Sequence, residues 1–235
     1  MQINSVSLTN FGNFYKETKI KNIFNSFIHP KNLEVSSDNF VKQSDVLNTA
    51  LEKLGELEFS KEDIKKVRRF GANPMFLNGK DALDFAKKEN IPIVFGEVDQ
   101  PDIHAQWIND KRMIVINEAY RDNKETAVIY AISSAILHEL GHAKDGDGVS
   151  SIQEEIDCLS MNALAFNEFK KKNPEIFNKS DLPIIKDGVE LYTNLFMGND
   201  KKALEERIRL KYGTLPVGSP NHKPKRFAHK VAEFV

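Results

Sequence analysis

His138, Glu139 and His142 stand in the run His138-Glu139-Leu140-Gly141-His142, and their types and spacing could do metal chemistry. On an α-helix, residues four apart lie one above the other, so both imidazoles leave the same face and can share one ion. Glu139, next to the first histidine, then reaches a water held at that ion and can take its proton. The chain has 6 His among 235 residues. Shuffling such a composition would produce this five-residue pattern in roughly one chain per hundred. The surroundings therefore decide what it means.

Residues 123–144 (NKETAVIYAISSAILHELGHAK) contain no proline, and Gly141 is their single glycine. Asp122 followed by Glu125 predicts a capping box at the helix start. Val128, Ile129, Ile132, Ala135 and Ile136 form an apolar stripe. With Ile132 at zero on a helical wheel, Glu139 falls at about −20°, His142 at about −80° and His138 at about −120°. A carboxylate in an apolar stripe is costly unless a partner charge or a metal accompanies it. An ordinary amphipathic helix with satisfied core histidines is the plain alternative, and it leaves Glu139 unexplained.

A catalytic metal site of this kind needs a third protein ligand and one open position. The loop 143–150 (AKDGDGVS) predicts a helix end at Gly146 or Gly148. A second helix is expected over 151–172, with Ser151 and Glu154 forming a capping box. Its stripe is Ile152, Ile156, Leu159, Ala163 and Phe166. Relative to Ile152, Glu155 lies at about −60°, Glu154 at about 200° and Asp157 at about 140°. Of the three carboxylates, Glu155 alone borders the stripe, so it is the expected ligand beside His138 and His142.

His138 to His142 plus a glutamate on the following helix resembles the gluzincins, zinc peptidases with a His-His-Glu site. The short connecting loop and the run Glu155-Ile156-Asp157-Cys158 are most similar to compact gluzincins of the ImmA/IrrE-like type. Those carry a small residue three after the ligand glutamate, and Cys158 stands there. They often have Asp or Asn next, where this chain has Leu159. A metzincin would need Gly at position 145 and His at 148, but the chain has Asp145 and Gly148. The resemblance implies a zincin-like α+β fold, with a small sheet packed on the metal helix and its following ligand helix, mainly helical elsewhere. It implies one Zn²⁺ and hydrolysis of a peptide bond in a peptide or protein, by metal-activated water with Glu139 as general base. Two other readings stay open: a regulatory or interaction protein with a closed structural metal site, completed by Asp145, Asp147 or a tail histidine, and a narrow-specificity toxin or effector protease.

The supporting elements are partly legible. Residues 91–95 and 112–117 read as strands, and 105–108 as another, with Asn109-Asp110 as a turn. The resemblance implies that a strand beside the metal helix pairs with substrate backbone, and either 91–95 or 112–117 could be that edge. Helices are expected over 44–57, 60–70, 79–89, 187–197 and 200–212. The domain reading is a mobile or loosely docked N-terminal arm over 1–42, a zincin-like metallopeptidase domain over 43–212, and a C-terminal loop and basic tail over 213–235. His104, Tyr192, His222 and His229 are candidates for stabilising the reaction's oxyanion. The Asp145–Gly148 run lacks the rest of an EF-hand and reads as a helix-ending loop, with Asp145 or Asp147 able to orient a histidine. The basic run 222–226 reads as solvated.

Composition sets the outer limits. A net charge of −1 gives no overall case for nucleic acid. One cysteine rules out an intramolecular disulfide framework, and no apolar run reaches membrane-spanning length. No secretory signal is evident at the N-terminus, so the expected location is the cytoplasm, with export by another route left open.

Overall fold

The computed structural model describes residues 44–100, 102–177, 182 and 184–232. The expected N-terminal arm over 1–42 lies outside the described residues.

The described chain is mixed α+β, mostly helical with one small sheet. Three helices come first: α1 (Asp45–Gly55), α2 (Lys61–Arg68) and α3 (Gly79–Lys88). Each start is fixed by a side-chain oxygen that accepts from an otherwise unpaired backbone N–H: Ser44 from Leu47, Ser60 from Asp63, and Asn78 from Asp81. The strands β1 (Ile93–Gly96), β2 (Ala105–Ile108) and β3 (Met113–Asn117) follow. Strand order is β1-β3-β2, with β1 parallel and β2 antiparallel to β3. The β2–β3 connection is a four-residue turn over 109–112 rather than a two-residue one, with Arg112 at φ 49°. The run 112–117 is therefore the central strand and has no free edge. Strand β2, an outer strand, packs on the metal-motif helix together with β3.

That helix is α4 (Thr126–Asp145), followed by α5 (Ile152–Lys172). The predicted box at Asp122 and Glu125 does not form. Glu125 is the N-cap residue without a side-chain bond, and Asn123 accepts from the Glu125 N–H instead. Gly146, at φ 65°, ends α4 in the left-handed conformation. The box at Ser151 and Glu154 does form, with Ser151 accepting from Glu154 N and Glu154 accepting from Ser151 N.

Both helices are buried all round. Every residue of α4 from Ala127 to Gly141 is buried, and so is every residue from Ser151 to Phe166. A helix apolar on most of its surface belongs inside a fold. Helix α4 is enclosed by α1, β2, β3 and α5, and Ser133 donates across to the carbonyl of Ala50 in α1. Gly141 permits the α4–α5 approach: a Cβ there would stand 2.7 Å from Cys158 Sγ and 2.5 Å from Met161 Cε.

The remainder encloses α5. A short α6 (Pro174–Phe177) precedes a π-helical turn, Ile184–Glu190, which continues into α7 (Leu191–Met197). The helix expected from 187 thus begins with wider turns. Helix α8 (Lys201–Tyr212), capped by Asp200, and α9 (Arg226–Ala232) complete the described chain, and both pack on α5. No helix among the described residues is long and apolar enough to cross a membrane.

Candidate metal centre

Helix α4 delivers His138 and His142 from successive turns, and α5 delivers Glu155 opposite them. These three form a group whose ligand atoms all lie within 4.8 Å of one another. The Nε2 atoms of His138 and His142 are 3.1 Å apart. Glu155 places Oε1 3.6 Å from His142 Nε2 and Oε2 3.8 Å from His138 Nε2. Metal–ligand bonds near 2.0–2.1 Å in a tetrahedron separate the donors by about 3.4 Å. The cluster is thus close to the span an ion needs. Two further facts support the fit: Glu155 Oε2 is buried with no hydrogen-bond partner, and the carbonyl of Cys158 lies near His138 Nδ1 without forming a well-aligned bond. Two imidazoles and one carboxylate suit zinc and leave a coordination position open.

The charge state of the cluster follows from its surroundings. Burial, then the neighbouring His142, holds His138 well below the usual histidine range, so it is neutral. Burial also opposes a charge on His142, but its acidic neighbours outweigh it and push the group well above that range. The effective neighbours are the Glu155 and Glu154 carboxylates. Cys158 Sγ lies 3.8 Å from Nδ1, but burial pushes its thiol up to about 12 and leaves it uncharged. In the metal-free protein His142 carries a proton that an ion would replace.

Glu154 has a second task that its capping role did not disclose. Its Oε1 accepts from His142 Nδ1 at 2.6 Å, which aims Nε2 at the cluster. All three carboxylates of the segment are buried, so their wheel positions did not separate an inward residue from two outward ones. They are separated by partner: Glu154 takes His142, Glu155 joins the cluster, and Asp157 accepts from Asn73 N and pairs with His222.

Glu139 does not ligate within this group. Its Oε2 accepts from the backbone N–H of Trp107 at 2.8 Å, which ties it to the outer edge of β2. Burial raises its pKa to about 7 against the opposing pull of His142 and of that N–H. The group is therefore close to balanced between acid and base near neutrality.

A cavity of about 280 Å³ opens over the cluster, lined by His138, Glu139, His142 and Glu155. His104 and Tyr192, two of the sequence candidates, also line it. His104 Nδ1 is 2.8 Å from the Tyr120 hydroxyl. The Tyr192 hydroxyl lies beside Arg207 without a well-formed hydrogen bond. The other two candidates are elsewhere: His229 is exposed on α9, and His222 pairs with Asp157 and Asp145. The solvated reading of 222–226 holds for Lys223, Lys225 and Arg226 but not for His222. Sequence reasoning missed Tyr212, whose hydroxyl lies beside Glu155 and which burial holds well above the usual tyrosine range. Nothing in its local sequence signalled this, because the end of α8 meets α5 only in the folded chain.

Asp145 and Asp147 do not complete a closed site. Asp145 faces His222, while Asp147 accepts from Val149 N and Asn221 N. No family model, curated protein or solved structure matches the chain.

Proposed function

We propose that the chain is a zinc-dependent peptidase of gluzincin type with a zincin-like fold, acting on a peptide or protein. One observation carries this reading: His138, His142 and Glu155 converge with an uncommitted position, and Glu139 is held beside them by the outer strand of the sheet. The donor set is the one expected of a catalytic rather than a closed structural zinc. A zinc ion held by these three would acidify a water and polarise the scissile carbonyl.

The chain's own residues do the rest. Trp107 N–H fixes Oε2 of Glu139, leaving Oε1 to accept the proton of the attacking water and to return it to the departing amine. Substrate backbone runs along the outer edge of β2, where the alternation of the strand turns Ala105 and Trp107 the same way. Glu154 keeps His142 in register, and Tyr212 lies against Glu155. Tyr192, which lines the cavity and whose hydroxyl has no well-formed bond, would donate to the developing oxyanion.

Replacing Glu139 with Gln tests the proposal. Zinc content stays at the native level while turnover of a cleavable protein or peptide falls by about 10²–10⁴. Unchanged turnover with zinc retained contradicts it.

A further inference from the structure

A cavity larger than the one over the metal cluster lies elsewhere in the fold. It is an open cleft of about 790 Å³ between the turn that follows α2 and the start of α9. Six cationic side chains line it: Arg68, Arg69, Lys201, Lys225, Arg226 and Lys230. No acidic side chain lines it, and none of the six forms an ion pair with another described residue. Such a concentration is unexpected in a chain whose net charge is −1.

The cleft is built rather than incidental. Gln153, 2% exposed on α5, fastens both walls: its Nε2 donates to Gly71 O at 3.2 Å, and its Oε1 accepts from Lys225 N at 2.9 Å. Gly71, at φ 77°, lets the walls meet, since a Cβ there would be 2.8 Å from Lys225 Cβ. Phe70 and Phe227 pack edge to face at 5.6 Å beneath the charges. Backbone and core thus gather six exposed like charges around one space, where a multivalent anion would relieve their mutual repulsion.

The chemistry narrows the class of anion. Phe70 and Phe227 are both buried, so no aromatic face is offered for stacking nucleobases. The walls are helix ends and a turn, with no strand edge to pair with an extended acidic peptide. Residues 1–43 hold more Lys than Asp and Glu together, so they are no charge complement. The volume is that of a small-ligand site. Arg and Lys side chains recognise phosphate by forked and point-charge contacts respectively. We propose that this cleft binds a small, multiply phosphorylated anion, such as a nucleoside polyphosphate or a free polyphosphate chain, at a site separate from the metal cluster.

Titration calorimetry of the full chain with inorganic tripolyphosphate tests this, with nucleoside triphosphate as a parallel arm. Tripolyphosphate also chelates metal, so the measurement is repeated on Glu155→Ala, where binding persists. The double variants Arg68→Glu/Arg226→Glu and Arg68→Gln/Lys225→Gln each weaken binding at least about tenfold, and raising salt from about 0.05 to about 0.2 M does the same. Unchanged melting temperatures show that the variants fold, and the neutral pair serves if the charge-reversed pair does not. A tighter triphosphate nucleoside than tripolyphosphate assigns the source as nucleotide, and the reverse assigns it as polyphosphate. The proposal is overturned by no binding, by binding that survives a folded double variant, by binding lost with Glu155→Ala, or by tighter binding of a deoxythymidine decamer or a glutamate-rich decapeptide. Zinc content and peptide turnover are read separately, so this outcome does not decide the fate of the peptidase proposal.

Discussion

Helices α4 and α5 together hold two histidine–carboxylate clusters, and the two have opposite characters. At one, His138 and His142 from α4 meet Glu155 from α5, with the ring nitrogens 3.1 Å apart and a carboxylate oxygen left without a partner. At the other, Asp145 from the end of α4 and Asp157 from α5 flank His222 from the C-terminal loop. There Nδ1 is 2.7 Å from Asp157 and Nε2 is 3.0 Å from Asp145, an ion-pair distance although not an aligned bond. The residue types are alike. What differs is the ratio of imidazoles to carboxylates and the direction of the ring nitrogens. Two carboxylates around one imidazole make the imidazolium itself the cation, which closes the cluster. Two imidazoles facing each other across one carboxylate direct their Nε2 atoms at a common point, where a metal ion can take the place of the His142 proton. The first arrangement is a lock and the second is a site.

Exchanging damage between the clusters gives the largest contrast. Glu155→Ala removes most bound zinc and leaves the metal-free fold standing, whereas His222→Gln keeps zinc and loses stability. Zinc analysis paired with urea unfolding reads both, and parallel losses in both variants would erase the distinction. Next in size, Glu154→Gln weakens zinc about 10–100-fold by releasing His142, in a competition assay with a chelator. The single amide oxygen of Gln still accepts from Ser151 N, as in a Ser–Gln capping box, so the start of α5 is kept while His142 Nδ1 loses its acceptor. Greater zinc loss for Glu154→Ala than for Glu155→Ala would reverse the roles assigned to the two.

His222→Gln has a pH signature. Burial opposes a charge on His222, but the Asp157 bond, then the charges of Asp157, Asp145 and Glu154, raise its pKa above 6.5. A raised folded-state value stabilises the protein fully below the unfolded value and fades as pH rises through the folded one. The variant therefore costs about 2–3 kcal/mol at pH 6.5, somewhat below a fully desolvated pair, and less at higher pH. A deficit that grows with pH, in urea midpoints across the series, would remove the imidazolium from the lock. The smallest effect is that of Gly141→Ala, where the methyl meets Cys158 and Met161. It lowers stability by about 1–3 kcal/mol in the same unfolding assay, and zinc remains bound.

What was legible in the sequence was local. Ser44, Ser60, Ser151 and Asp200 mark the starts of their helices within a residue, because each cap is decided by its own neighbours, whereas the ends of the first two fall two residues short of the expected ones. The His138–His142 spacing was legible for the same reason. The wheel failed where it assumed a solvent face. With α5 buried on every side, Glu154 and Asp157 point inward as firmly as Glu155, and only their distant partners, His142 and His222, tell them apart. Strand order was equally out of reach: β3 occupies the centre because β1 and β2 both pair with it, a choice that no run of alternating residues encodes. Tyr212 and Gln153 act across the fold, and their local sequence carries no trace of it.

Metal analysis of the purified chain beside its Glu155→Ala variant tests the central claim most directly. The expected result is one zinc per native chain, held through dialysis, and almost none in the variant at an unchanged far-ultraviolet circular dichroism spectrum. Zinc retained by a folded Glu155→Ala chain, or no divalent metal bound by the native chain after zinc loading, would contradict it.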